Sequence, residues 1–162
     1  MQHGSPLWPG EPGWDVDQVG ADEQLSIVVD RVYVVPGGSV PRVRDLDDFL
    51  KCYEQATNSH DFDRVAPLIA DDAVYWFSDG AHEGITAIRA AFEAAWATIV
   101  DEDYRISDVR WVAVDDTVAT CIYAFRWSGV VDGQPRSGIG RGTNVLARRD
   151  GRWVMVHEHL SS

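Results

Sequence analysis

The sequence predicts an α+β fold in which helices pack on one face of a bent antiparallel sheet. Three observations lead there. Between positions 45 and 99, apolar residues fall at helical spacing, as in Ile85, Ile88, Phe92, Ala95, Trp96 and Ile99. From 105 to 160 the pattern changes to runs rich in β-branched and aromatic residues. Short turn signals separate those runs: Asp115-Asp116, Asp132-Gly133 and Asp150-Gly151, which suit antiparallel hairpins.

Residues 1–44 read as an N-terminal arm. Positions 1–23 hold Pro6, Pro9, Pro12 and four glycines with no Lys or Arg, the composition of an extended tail. Trp8 and Trp14 within it can dock on the domain or on a neighbouring subunit. Residues 24–35 form one strand that ends at Pro36-Gly37-Gly38.

The main domain spans 45–162. Asp45 caps a first helix, with Leu46, Phe49, Leu50 and Tyr53 on one stripe, and the helix stops near Asn58. A short second helix starts at Asp61 or Asp63 and reaches Ala70. Pro67 requires a late start or a kink there. Ala73–Phe77 is a strand, Ser78-Asp79-Gly80 a turn, and Ile85–Ile99 the third helix. Strands follow at Arg105–Val114, Val118–Trp127, Arg136–Arg148 and Arg152–Leu160.

A chain of 162 residues, 45% hydrophobic and 25% charged, can bury the core of one domain. Its 26 acidic against 14 basic side chains leave a net charge of −12. That balance opposes binding to nucleic acid or to an anionic membrane surface. No apolar run reaches the roughly 18 residues of a membrane span. The start, MQHGSPLWPGEPG, lacks the basic and apolar segments of a signal peptide. Cys52 and Cys121 have no metal-ligand spacing and read as reduced core thiols of a cytoplasmic protein. One Lys against thirteen Arg suits a GC-rich bacterial genome.

Strand alternation selects the candidate site residues. One face of Val118–Trp127 carries Tyr123, Phe125 and Trp127, and the seven tryptophans read mostly as core or as the lining of an aromatic cavity. Arg141 lies between Gly140 and Gly142, where something can pack close to the backbone. It either points into a pocket to grip an acid or phenolate, or lies solvated on the outer face. His157-Glu158-His159 puts two histidines on one face of the last strand and a carboxyl on the other. The remaining histidines, His3, His60 and His82, supply no third metal ligand by spacing, so no metal and no cofactor are implied. The histidines suit a subunit interface, a pocket wall or acid–base work. Gly138-x-Gly140-x-Gly142 falls within a strand and is no nucleotide fingerprint.

From Asp45 to Ser162 the chain resembles the nuclear transport factor 2-like superfamily, in its SnoaL-like branch. The resemblance rests on YEQATNSHDFDRVAPLIADDAVYWFSDG, HEGITAIRAAFEAAW and RRDGRWVMVHEHLSS, in that order. It implies a cystatin-like α+β roll: a cone-shaped bent antiparallel sheet wrapped around three N-terminal helices. A mostly apolar pocket lies at the open end, and the usual assembly is a homodimer. Members include polyketide cyclases, steroid isomerases, dehydratases and proteins without catalysis. The last stretch is also similar to the association domain of calcium/calmodulin-dependent kinase II, an oligomerisation module. Carried over residue by residue, the isomerases' helix-one oxyanion tyrosine is matched by Tyr53. Their base aspartate falls at Phe77, with Asp79 two residues on, and their second oxyanion acid falls at Thr143 or Gly142. Two of three chemical groups are missing, so steroid isomerase chemistry is not expected.

Two functions follow as expectations. The first is a dimeric binding or assembly module with an apolar pocket for a small aromatic or lipid-like ligand. The second is a polyketide cyclase-, isomerase- or dehydratase-type enzyme of bacterial secondary metabolism using acid–base catalysis. Its catalytic candidates are Glu158, Arg141 and Tyr53. The pocket candidates are Tyr53, Tyr75, Phe77, Phe92, Trp96, Tyr123, Phe125, Trp127, Thr143, His157 and His159. Val154, Val156, Glu158 and Leu160 form the more apolar face of the last strand, which places Glu158 inward unless a bulge shifts the register.

Overall fold

The structure, a computed structural model, describes residues 43–162. The expected arm strand at 24–35, Trp8 and Trp14 lie outside the described residues. Helix α1, Val43–Thr57, buries Leu46, Phe49, Leu50, Tyr53, Ala56 and Thr57 along one stripe. Cys52 points the other way and is exposed, whereas Cys121 is buried, so only one of the two thiols is core. Helix α2, Phe62–Val65, is a single turn capped by Asp61, whose side chain accepts from the Asp63 amide. It tightens into a 3-10 turn, Ala66–Leu68, that absorbs Pro67 where no helical amide is needed.

Strand β1, Ile69–Phe77, and the short β2, Gly80–Glu83, form a hairpin before helix α3, Gly84–Thr98. The long strands follow: β3 Val100–Val114, β4 Val118–Val131, β5 Gln134–Arg149 and β6 Arg152–Ser161. The Asp132-Gly133 and Asp150-Gly151 turns carry positive φ at both positions, as two-residue hairpins require.

The six strands make one open sheet in the order β2-β1-β6-β5-β4-β3. It is mixed, which corrects the antiparallel expectation. Strands β3 to β6 are joined by hairpins and must alternate in direction. β1 meets β6 only after the chain has passed through α3 and the hairpins, and the two run parallel. Register shifts interrupt β3 twice beside residues of positive φ, Asp101 and Asp108, and such bulges bend a strand.

Among the described residues β3 is a sheet edge, covered by α1 and the residue that follows it. Asn58 Nδ2 donates to the Tyr104 carbonyl at 2.7 Å, and Asn58 Oδ1 accepts from the Tyr104 amide at 2.7 Å. Glu54 Oε2 accepts from the Ile106 amide at 2.6 Å. Further along, Asp47 accepts from the Trp111 indole at 2.9 Å. The helix thus satisfies backbone groups that an open edge would leave to water.

The glycines of β5 have a packing role. Gly138, Gly140 and Gly142 pair in register with Trp127, Phe125 and Tyr123 of β4. A Cβ at each glycine would collide with the ring of its partner, so the three rings lie down over bare backbone. Their side of the sheet faces α1 and α3.

Candidate active site

Glu158 is the chemical centre of the inner face. Its side chain belongs to a residue only 2% exposed. Tyr53 of α1 donates to Oε2 at 2.9 Å, and Tyr123 of β4 donates to Oε1 at 2.9 Å. Asn144 of β5 completes the set. With its amide nitrogen toward the carboxylate, the orientation that satisfies both amide atoms, it donates to Oε1 at 3.2 Å and to the Thr143 carbonyl at 3.0 Å. Tyr75 lies behind, its hydroxyl 3.3 Å from that of Tyr53. A phenol has one proton, so Tyr75 donates to Tyr53 once Tyr53 donates to Glu158.

Burial pushes the Glu158 carboxyl up to about 7, and the donors from Tyr123, Tyr53 and Asn144 hold it from rising further. Burial first, and the charge of Glu158 second, hold Tyr53, Tyr75, Tyr104 and Tyr123 well above the usual phenol value. All four therefore stay protonated donors. Oε1 has two protein donors and Oε2 has one. A carboxylate oxygen can accept two, so one lone pair of Oε2 is unclaimed among the described residues.

Glu158 borders a cavity of about 440 Å³. That is the size of a small-molecule site. Its aromatic walls are Phe77 of β1, Phe92 and Trp96 of α3, and Phe125 and Trp127 of β4, with Tyr53 beside Glu158. The carboxyls on its described lining are Asp79, Glu102 and Glu158, and no Lys or Arg lines it. Burial raises the Glu102 carboxyl, offset in part by His60. At the rim Asp79 pairs with His82 at 3.1 Å.

Thr57 and Tyr104 also line the cavity, and each holds a buried hydroxyl with no well-aligned hydrogen-bond partner among the described residues. The Tyr104 hydroxyl lies in close contact with that of Tyr123 and within the field of Glu158, at a geometry short of a well-aligned hydrogen bond. An unsatisfied buried hydroxyl costs about 1–3 kcal/mol.

The structure places Tyr53, Phe77, Phe92, Trp96, Phe125, Trp127 and Glu158 on the cavity wall. Tyr75 and Tyr123 lie just behind it, in the hydrogen-bond network. Four expected residues do not belong there. Arg141 and Thr143 alternate with the inward Gly140, Gly142 and Asn144, and so face outward; Arg141 is exposed. His157 and His159 also lie on the outer face, packed edge-on to Trp76, with His157 Nδ1 donating to the Val74 carbonyl at 2.7 Å. A bulge decides this. The pairing of β6 with β5 slips between Met155 and His157, leaving Val156 as the extra residue. Met155 and Glu158 thereby both point inward, where strict alternation from Met155 would have buried the histidines. Trp76, 50% exposed, is not a core residue.

Asn144, Thr57, Tyr104 and Glu102 escaped the sequence reading. Asn144 is the polar member of the stripe Gly138, Gly140, Gly142, Asn144, Leu146, and Thr57 lies one helical turn beyond Tyr53. Those spacings were available signals. Tyr104 and Glu102 precede the point at which periodicity first marks β3.

The family model of the SnoaL-like domain matches residues 25–162. A comparison with curated proteins finds no match. Among solved structures, a nuclear transport factor 2-like superfamily protein from Salmonella enterica Typhimurium is similar at TM-score 0.69 and 16% identity, over 74% of this chain and 89% of that one. A Xanthomonas campestris protein, provisionally described as a calcium/calmodulin-dependent protein kinase II association domain, is similar at TM-score 0.67 and 21% identity, over 75% and 88%. A Novosphingobium aromaticivorans protein, provisionally described as a scytalone dehydratase, is similar at TM-score 0.65 and 16% identity, over 73% and 81%. At these identities the likeness establishes the fold alone.

Proposed function

The chain belongs to the SnoaL-like domain family, and we propose that it is a cofactor-free acid–base enzyme of the cyclase, isomerase or dehydratase type. The observation that carries this reading is Glu158: a carboxyl raised to about 7, bordering a cavity with aromatic walls. Such a group can take a proton from carbon at neutral pH and return it. The shared step is removal of a proton α to a carbonyl. The C–H bond breaks, its proton passes to the free lone pair of Oε2, and the electron pair moves onto the carbonyl oxygen as an enolate. Tyr53, Tyr123 and Asn144 keep the carboxylate oriented. Arg141 takes no part, because it faces outward.

One observation favours the other reading, a binding module without chemistry. Three donors already satisfy Glu158, as they would in a purely structural network. Deuterium uptake separates the two. In heavy water at neutral pH, the protein should accelerate α-exchange of the bicyclic ketone 2-tetralone, and Glu158→Gln should remove about 10²-fold or more of that rate. Binding of 2-tetralone with no acceleration would favour the module.

The outer face supports a homodimer. Trp76, His157 and His159 lie side by side there, and Ile139 on the same face of the sheet is 80% exposed. Placement in the cytoplasm remains part of this proposal; in the described residues no helix is long and apolar enough to cross a membrane.

A further inference from the structure

We infer that the cavity takes an aromatic compound bearing a cationic nitrogen, seated by Trp96 and Trp127 against the carboxyl of Glu102, and that it rejects anions. The inference names the charge class of the substrate and rests on the acid–base reading for the chemistry done on it. Its own residues are separate from Glu158.

The first observation is the charge of the wall. Its described lining holds three carboxyls, on Asp79, Glu102 and Glu158, and no Lys, Arg or His. Two of the three have partners. Asp79 meets His82 at 3.1 Å, and Glu158 accepts from Tyr53 and Tyr123. Among the described residues the Glu102 carboxyl forms no hydrogen bond and no ion pair, and feels His60 only through space. His60 is committed elsewhere: Nε2 donates to the main-chain carbonyl of Glu102 at 3.0 Å, and the ring stacks on Trp96. A half-buried carboxylate without a counter-ion has lost hydration and gained no partner. A ligand cation supplies that partner.

The second observation is the set of rings. Phe77, Phe92, Trp96, Phe125 and Trp127 wall the same space. Aromatic faces attract a cation, and an indole does so most strongly. The strands bring Glu102 to the tryptophans. Trp127 and Gly129 stand on one face of β4, and β3 passes over the bare backbone of Gly129, where a Cβ would stand 3.3 Å from the Glu102 Cα. His60 ties Glu102 to Trp96 from the other side. Carboxyl and indoles therefore lie together, on strands and a helix other than the one that carries Glu158. A nitrogen held there leaves the remaining frame of the ligand toward Glu158. An anion meets three carboxyls and no cation on the described lining.

The test measures binding, by equilibrium dialysis at neutral pH, of three probes of one shape: 2-aminotetralin as the cation, tetralin, and 1,2,3,4-tetrahydro-2-naphthoate as the anion. The wild-type protein should bind the amine about 10-fold more tightly than tetralin, and the naphthoate most weakly. Salt at about 0.5 M should shrink the amine preference. Glu102→Gln should bring it down to about 2-fold, and Glu102→Lys should reverse the order of amine and naphthoate. Equal binding of amine and tetralin by the wild-type protein would overturn the inference, and so would a preference that survives Glu102→Gln. Either result would leave α-exchange of 2-tetralone standing as the separate test of Glu158. An amine preference carried by Glu102 in a protein that shows no α-exchange would keep the amine site and remove the acid–base reading.

Discussion

Glu158 holds three hydrogen-bond donors and still has a raised pKa, because burial outweighs them. This has a consequence for stability. An unfolded glutamate titrates near 4.3, while the folded one titrates near 7. The folded state therefore holds the proton more tightly, and this contribution to stability is full below the unfolded value. It falls as pH rises through the window up to about 7, by about 4 kcal/mol in all. Glu102 adds to the same trend, since burial raises it as well. Glu158→Gln should therefore gain stability relative to the wild-type protein at pH 8 and lose that advantage at pH 5. Urea unfolding at the two pH values checks the sign. Glu158 was legible in the sequence because it stands on the more apolar parity of its strand. The reason was incomplete: Met155 lies inward on the opposite parity, and the bulge at Val156 reconciles the two. Periodicity alone does not show a bulge.

Among the elements, α1 and β5 shape the cavity by different means. The helix and its C-terminal turn act through polar side chains, sealing the edge strand with Glu54 and Asn58. Asn58→Ala would strand the Tyr104 amide and carbonyl together. It should cost about 2 kcal/mol in urea unfolding and speed amide exchange at Tyr104. β5 acts through missing side chains. A Cβ on Gly140 would strike the Phe125 ring and the Ser161 carbonyl. Gly140→Ala should destabilise by about 1–3 kcal/mol. It should also weaken 2-tetralone binding, because Phe125 lines the cavity and would be displaced. The glycines themselves were readable as a close-packed strand. Which ring lay over which glycine required the register, set by the Asp132-Gly133 turn. The parallel β1–β6 pair was not readable, because it joins segments with no turn between them.

For the whole molecule, the helices cover the sheet's inner face, while the outer face carries exposed Trp76 and Ile139. Ile139→Asp should turn a dimer into a monomer in native mass spectrometry without changing the melting profile of the isolated subunit. A monomeric wild-type protein would remove the dimer from the account. The fold class was legible because helical and strand periodicities occupy separate parts of the chain. The outward placement of Arg141, His157 and His159 was less so. Nothing in residue type distinguishes a cavity wall from an interface when both tolerate polar and aromatic side chains.

The most direct test of the central claim is the pH profile of α-exchange in 2-tetralone. The account predicts a rate that rises with pH to a plateau, with a midpoint near the Glu158 value of about 7, and a flat, low profile in Glu158→Gln. A profile left unchanged by that substitution would contradict it.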